Sequence, residues 1–285
     1  MSILKFTLIC SALLGIVVCE SDGEPLKPKY HGPDTQPYYW NLDLAKYADS
    51  IYKIFINPVG SSGYAGSGFL CAIQLDGAVH TGVHYGFLSN YHAIPAKFIV
   101  PTVGANVQLY FNARPEGEKF NINLNNDTTA WFSDAQLDVT FLELSPKLVG
   151  KMMHKGLKFI HLTSENGAEM EQVAQEDGRQ VIIFGTESRH EVPMYSMAKL
   201  LKGAQYENSM GDIFYYGYTS SGVSGAPVFN DETFQVVGIH KRSAHNYKSG
   251  LSIAKLIERM HQIGLKPTHG RPKSSGWILA VEVSS

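Results

Sequence analysis

The chain has 285 residues, 44% of them hydrophobic, with 24 Lys plus Arg against 26 Asp plus Glu and a formal charge of −2. That size supports one large or two small cores. Only 18% charged residues, with 27 glycines and 13 prolines, exclude a coiled coil and a largely disordered chain. A charge this near neutrality offers no strong field, so nucleic acid and anionic membranes are not expected as partners.

In chain order, Lys5 precedes an apolar run from Phe6 to Val18, which gives way to polar residues at Glu20. A basic start, a short apolar stretch and a polar exit predict a cleaved signal peptide over 1–19 and a secreted protein. The run is shorter than the roughly 20 residues of a membrane span. Loss of Cys10 and Cys19 with the signal leaves Cys71 alone, so no intrachain disulfide is expected. Cys71 lies in the apolar strand-like run Gly66–Ile73 and reads as a packing residue. Residues 20–45, rich in Pro, Gly and charge, read as an exposed lead-in or propeptide.

Short strand patterns bounded by turn residues then recur. They cover Gly66–Ile73, with a hairpin signal at Asp76-Gly77, then Tyr85–Asn90, Asn106–Phe111 and Leu137–Leu144. The Asn126-Asp127-Thr128 sequon marks a surface glycosylation position where export is eukaryotic. Residues 145–165 read as a connection between two halves. Further strand patterns are Gln180–Gly185, Asp212–Tyr218, Ala226–Phe229 and Phe234–His240. Ile253, Leu256, Ile257, Met260 and Ile263 then form one helical stripe stopped by Gly264. The expected organisation is a first β unit over 46–150, a second with a C-terminal helix over 151–265, and a tail over 266–285 with an extra strand near Trp277–Val283. Many short strands in two groups predict an all-β fold of two antiparallel barrels or sandwiches.

Ser224 lies in a Gly- and Ser-rich segment, Thr219–Phe229. A serine hydroxyl becomes a useful nucleophile only with a base to take its proton and donors to hold the oxyanion. Glycines beside it allow a tight turn with the N–H groups of Gly222 and Ser224 facing one cavity; a plain hairpin loop would look the same. A strand pattern runs directly into His92. The third member must be a carboxylate that orients the imidazole. Asp138, at the mouth of an apolar strand, fits that role, and its rival Asp134 reads more like a surface-loop acid. No His, Cys or Asp spacing suits a metal, and no cofactor is expected.

Three ordered blocks carry a resemblance. Leu88 to His92, Leu137 to Leu144 and Gly222 to Pro227 resemble the histidine, aspartate and Gly-x-Ser-Gly-x-Pro blocks of the chymotrypsin-like serine proteases. That resemblance implies two six-stranded antiparallel β-barrels with a C-terminal helix, His92 and Asp138 coming from the first and Ser224 from the second. It also implies a secreted endopeptidase, acting as a monomer on protein or peptide substrates through an acyl-enzyme. Val223 stands where the digestive and clotting branch has an Asp, so activation by a freed N-terminus is not expected. Tyr218 occupies the position of the trypsin-type pocket Asp. Thr219 and the Gly238-Ile239-His240 run resemble pocket positions of the glutamyl endopeptidases, with Lys241 and Arg242 adding positive charge, which implies cleavage after acidic residues. The alternative is a catalytically silent relative that binds proteins. An α/β-hydrolase would order its triad Ser, Asp, His, the reverse of what stands here.

Overall fold

The structure, a computed structural model, describes residues 35–37, 41–57, 63–76, 81–99, 106–110, 119–124, 126–164, 178–187, 192–201, 211–243 and 247–268. The signal segment, the turn at Gly77 and the tail strand expected at Trp277–Val283 lie outside these residues.

The chain opens on a three-residue strand, β1 (Thr35–Pro37), and a short helix, α1 (Leu42–Ala45), capped by the Asn41 side chain. The first β unit follows as β2 (Ile51–Asn57), β3 (Gly63–Asp76), β4 (Thr81–Ser89), a short helix α2 (Ala96–Ile99), β5 (Asn106–Tyr110), β6 (Lys119–Asn123), β7 (Thr128–Asp134) and β8 (Val139–Leu144). Its strands lie in the order β7-β8-β4-β3-β2-β5-β6, each pair antiparallel. The apolar run of β3 is continuous because both faces are buried. Phe69, Cys71 and Ile73 join one core cluster, and Leu70 and Ala72 join another with Tyr52, Phe87 and Leu142. Cys71 is fully buried and unbonded, and burial pushes its thiol well above its ordinary pKa, so it is a packing residue.

Helix α3 (Pro146–His154) starts at an ideal signal, with Ser145 capping the Leu148 N–H and Pro in the first turn. Strand β9 (Ile160–Leu162) then pairs parallel with β3, Cys71 opposite Ile160. The first unit therefore runs past position 150: α3 crosses that boundary and β9 adds to the first sheet.

The second unit comprises β10 (Gln180–Gly185), β11 (Met194–Leu201), β12 (Asp212–Gly217), β13 (Pro227–Asn230), β14 (Val236–Ser243) and β15 (Lys248–Ser252). The ladder β11-β10-β13-β14-β15-β12 returns from β12 to β11, closing a six-stranded antiparallel barrel. Its interior holds Val181, Ile183, Leu200, Ile213, Tyr215 and Val228. Strand β1 adds to β11, with Gln36 opposite Tyr195, and Leu44 is fully buried. The folded body thus begins before position 46, and the later part of the lead-in is built into it.

Helix α4 (Ile253–Ile263) is capped by Ser252 and ends at Gly264. Ile253, Leu256, Ile257 and Met260 enter a core cluster that also takes Phe69 and Phe141 from the first unit and Ile182, Phe184 and Phe229 from the second. Each such side chain contributes about 1.5–3 kcal/mol on burial. Ile263, expected on the same stripe, is instead 45% exposed. It stands at the edge of the apolar arc on the last turn. Strand β16 (Lys266–Pro267) then pairs with β7, so the chain returns to the first sheet where a tail was expected.

Candidate active site

Strand register brings the first two groups together. Ser89 pairs with Thr140 and Leu88 with Phe141, so the turn after β4 and the turn before β8 lie side by side. His92 sits in the first turn and Asp138 in the second. Asp138 adopts φ 55°, a left-handed conformation that Asp tolerates better than most residues. Buried Asn90 holds it there, donating from Nδ2 to the Asp138 carbonyl at 3.0 Å. In return the Asp138 carboxylate accepts from the His92 backbone N–H at 3.0 Å and from Nδ1 at 2.9 Å. A proton on Nδ1 leaves the lone pair on Nε2, the tautomer that a general base needs.

Ser224 approaches from the second barrel. The turn is fixed by its own backbone: Ala226 N–H donates to Val223 O at 2.9 Å and Gly225 N–H to His240 O at 2.8 Å. Gly222 and Gly225 take φ 100° and 90°, and a Cβ at Gly225 would stand 2.1 Å from the Ser67 carbonyl oxygen. Val223 is buried in the second core, so apolar packing anchors this loop.

The two loops meet at Gly66. A Cβ there would lie 2.7 Å from the Ser224 carbonyl oxygen and 3.7 Å from the Cβ of Ala93, the neighbour of His92. Among the described residues the imidazole bonds Asp138 and makes no hydrogen bond to the Ser224 hydroxyl. Such a contact often tightens only when substrate binds. Gly66→Ala, with φ 146° and no room for a methyl, should cost about 1–3 kcal/mol of stability. It should also slow modification of Ser224 by an organophosphorus probe. Denaturant unfolding and labelling kinetics test the two halves.

The rival carboxylate does different work. Asp134 accepts from Arg259 Nε at 3.0 Å and from the N–H groups of Gln136 and Leu137 at 2.9 and 3.1 Å. Burial pushes its carboxyl up, but these bonds outweigh that and hold it below the usual range. It therefore ties β7 to α4. With the folded pKa below the unfolded one, its stabilisation is complete above about pH 4 and fades as pH falls through the folded value. Arg259→Gln should flatten the loss of stability on acidification, read by urea unfolding at several acidic pH values.

The pocket residues are partly joined. Thr219 Oγ1 lies 3.0 Å from Ser243 Oγ on β14, and the Tyr218 carbonyl accepts from Ser196 Oγ at 2.8 Å. His240 is buried with Nδ1 2.6 Å from the Tyr215 hydroxyl. Burial, then the charges of Lys248 and His92, push the His240 imidazole down to about 3, so it is neutral near pH 7. Burial, then the charge of Asp212, push the Tyr215 hydroxyl well above its ordinary value, so it stays a donor. Lys241, expected to add positive charge, is instead spent on Asp212 at 2.8 Å. Arg242 is exposed. Asn126 is exposed in the turn between β6 and β7.

Sequence reasoning took Gly66–Ile73 only as a strand and passed over Ser67 and Thr186, which bridge the barrels beneath Ser224, and Tyr215, which binds His240. The one signal for Ser67 was its place between two glycines.

Two antiparallel units, the second a closed barrel, with a C-terminal helix packed against both define a chymotrypsin-like double-barrel fold. The Rv3671c protease from M. tuberculosis, in its active form, has this fold: TM-score 0.50 at 15% identity, over 89% of this chain and 98% of that one. An inactive form of Rv3671c with a serine-to-alanine substitution gives TM-score 0.48 at 16% identity, over 79% and 91% of the two chains. No protein-family model and no curated protein matches the chain. At such identity the likeness is one of fold, and it does not single out the glutamyl endopeptidase branch.

Proposed function

We propose that this chain is a secreted serine endopeptidase in which His92, Asp138 and Ser224 form the catalytic triad. The observation that carries the reading is the Asp138 carboxylate 2.9 Å from His92 Nδ1, at the place where the Ser224 turn crosses Gly66. In this mechanism Ser224 Oγ attacks the scissile carbonyl and its proton passes to His92 Nε2. The N–H groups of Gly222 and Ser224 hold the oxyanion, and His92 returns the proton to the leaving amine. Water then attacks the acyl-enzyme by the same route. Labelling by a fluorophosphonate, abolished in Ser224→Ala, tests it; a folded wild-type chain that takes no label would favour the silent binding module.

The pocket beside Ser224 supports a preference for acidic side chains. A neutral His240 that accepts from Tyr215 at Nδ1 carries its remaining proton on Nε2, a donor to a carboxylate. The positive charge of Lys248, which disfavours imidazolium there, favours a substrate anion. Tyr218 offers no carboxylate for Arg or Lys. In a peptide library, Glu or Asp before the cut should be preferred, and His240→Val should reduce that preference at least tenfold, about 1.4 kcal/mol. A preference for basic or large apolar residues would dismiss the acidic pocket. The exported chain should begin just after Cys19 and carry glycan at Asn126, both readable by mass spectrometry of secreted material.

A further inference from the structure

Ser67 lies on β3, fully buried, and its hydroxyl reaches across to the second barrel. Thr186 N–H donates to Ser67 Oγ at 2.9 Å, and Thr186 Oγ1 lies at 2.9 Å. The Gly222 carbonyl oxygen is 2.7 Å away and that of Thr186 3.0 Å. A hydroxyl accepts twice and donates once. The Thr186 N–H takes one lone pair, and the shortest of the other contacts, to Gly222 O, assigns the one Ser67 proton there. The Ser67 backbone N–H meanwhile donates to Ser224 O at 2.7 Å, and the Ser67 carbonyl accepts from Ser89 Oγ at 2.7 Å. One residue of the first barrel therefore grips the carbonyl oxygens of both Gly222 and Ser224.

We infer that Ser67 is a positioning residue, which fixes the Gly222–Ser224 backbone so that the N–H groups of those two residues stay turned to the cleft. The inference rests on the hydrolase reading above. Oxyanion donors accelerate the reaction only when they are already aimed and need no reorganisation. Gly222, at φ 100°, holds a backbone conformation that residues with a side chain rarely adopt. The Ser67 hydroxyl holds the Gly222 carbonyl from a site where water does not compete.

Ser67→Ala removes the bond to Gly222 and leaves the backbone bond to Ser224. In the full exported chain it should lower kcat by about 10- to 100-fold, less than the 10²–10³ for deleting an oxyanion donor outright. KM should stay within about threefold, as expected for an interaction made in the transition state. The fluorophosphonate labelling rate should fall in step, because the phosphonyl oxygen occupies the same hole. Ser67→Cys, which keeps a weak S–H donor, should recover part of the loss. Ser50→Ala is the matched control: it removes another buried hydroxyl bond, to Lys158 O at 2.9 Å. It should lower Tm while leaving kcat within about twofold. A folded Ser67→Ala protein with wild-type kcat and labelling overturns the positioning role alone. So does a loss in Ser67→Ala no greater than that in Ser50→Ala at equal destabilisation. A wild-type chain that neither turns over peptide nor takes label overturns the hydrolase reading itself, and the role of Ser67 falls with it.

Discussion

Ser224→Ala is expected to leave a folded protein whose peptide hydrolysis is about 10⁶-fold slower in kcat, the scale of loss when one member of a cooperating triad is removed. The fold should survive because the turn does not depend on the hydroxyl. Its restraints are the backbone bonds from Ser67 to Ser224, from Ala226 to Val223 and from Gly225 to His240, together with buried Val223. All of these remain in the alanine variant, so stability should move by no more than about 0.5 kcal/mol. His92→Ala should cost as much in kcat, and the double variant little more than either single one, since nucleophile and base act in one step. Progress curves on a peptide substrate and thermal melts of the three variants give the comparison. Additive losses in the double variant would mean that His92 and Ser224 act separately and that the triad is wrongly drawn.

What the sequence made legible is what local pattern controls. The apolar runs of β3, β8 and β13 lie between turn residues, and the stripe of α4 has its cap at Ser252 and its stop at Gly264. His92 and Asp138 stood out as polar residues at the end and the start of strand patterns, and Ser224 by the glycines and serines around it. Other features depend on contacts that no local pattern encodes. The barrel closes through β11 and β12, and the three residues of β9 find β3 across some ninety positions. Ser67 meets Thr186 and Gly222 at separations of 119 and 155 residues. Lys241 looked like free positive charge because Asp212, its partner, lies on a different strand. Asp134 and Asp138 show the same limit at short range. They lie four residues apart in one strand–turn–strand segment. Asp138 reads as a strand-mouth acid and Asp134 as a surface-loop acid, yet Asp134 is buried against Arg259 on α4 while Asp138 meets His92 after β4.

That separation gives the second large effect. Asp138→Asn should lower kcat by about 10⁴-fold with little change in fold. The amide is nearly isosteric, so Asn90 can still hold the backbone carbonyl at position 138 and the left-handed turn persists. An amide oxygen facing the His92 backbone N–H puts its NH₂ group against Nδ1. The imidazole must then accept at Nδ1 and carry its proton on Nε2, the nitrogen that has to take the proton of Ser224. The base is present but holds the wrong tautomer, and the developing imidazolium loses its counter-charge. Asp134→Asn should behave oppositely. It breaks the charged bond from Arg259 and lowers stability by about 1–3 kcal/mol, the cost of leaving a buried polar group poorly matched, with kcat close to wild type. Measuring kcat and Tm for both variants side by side crosses the two effects. If Asp134→Asn were the one to lose turnover while Asp138→Asn kept it, the acid orienting His92 would be Asp134, and the pairing at 2.9 Å would not be the one that works in catalysis.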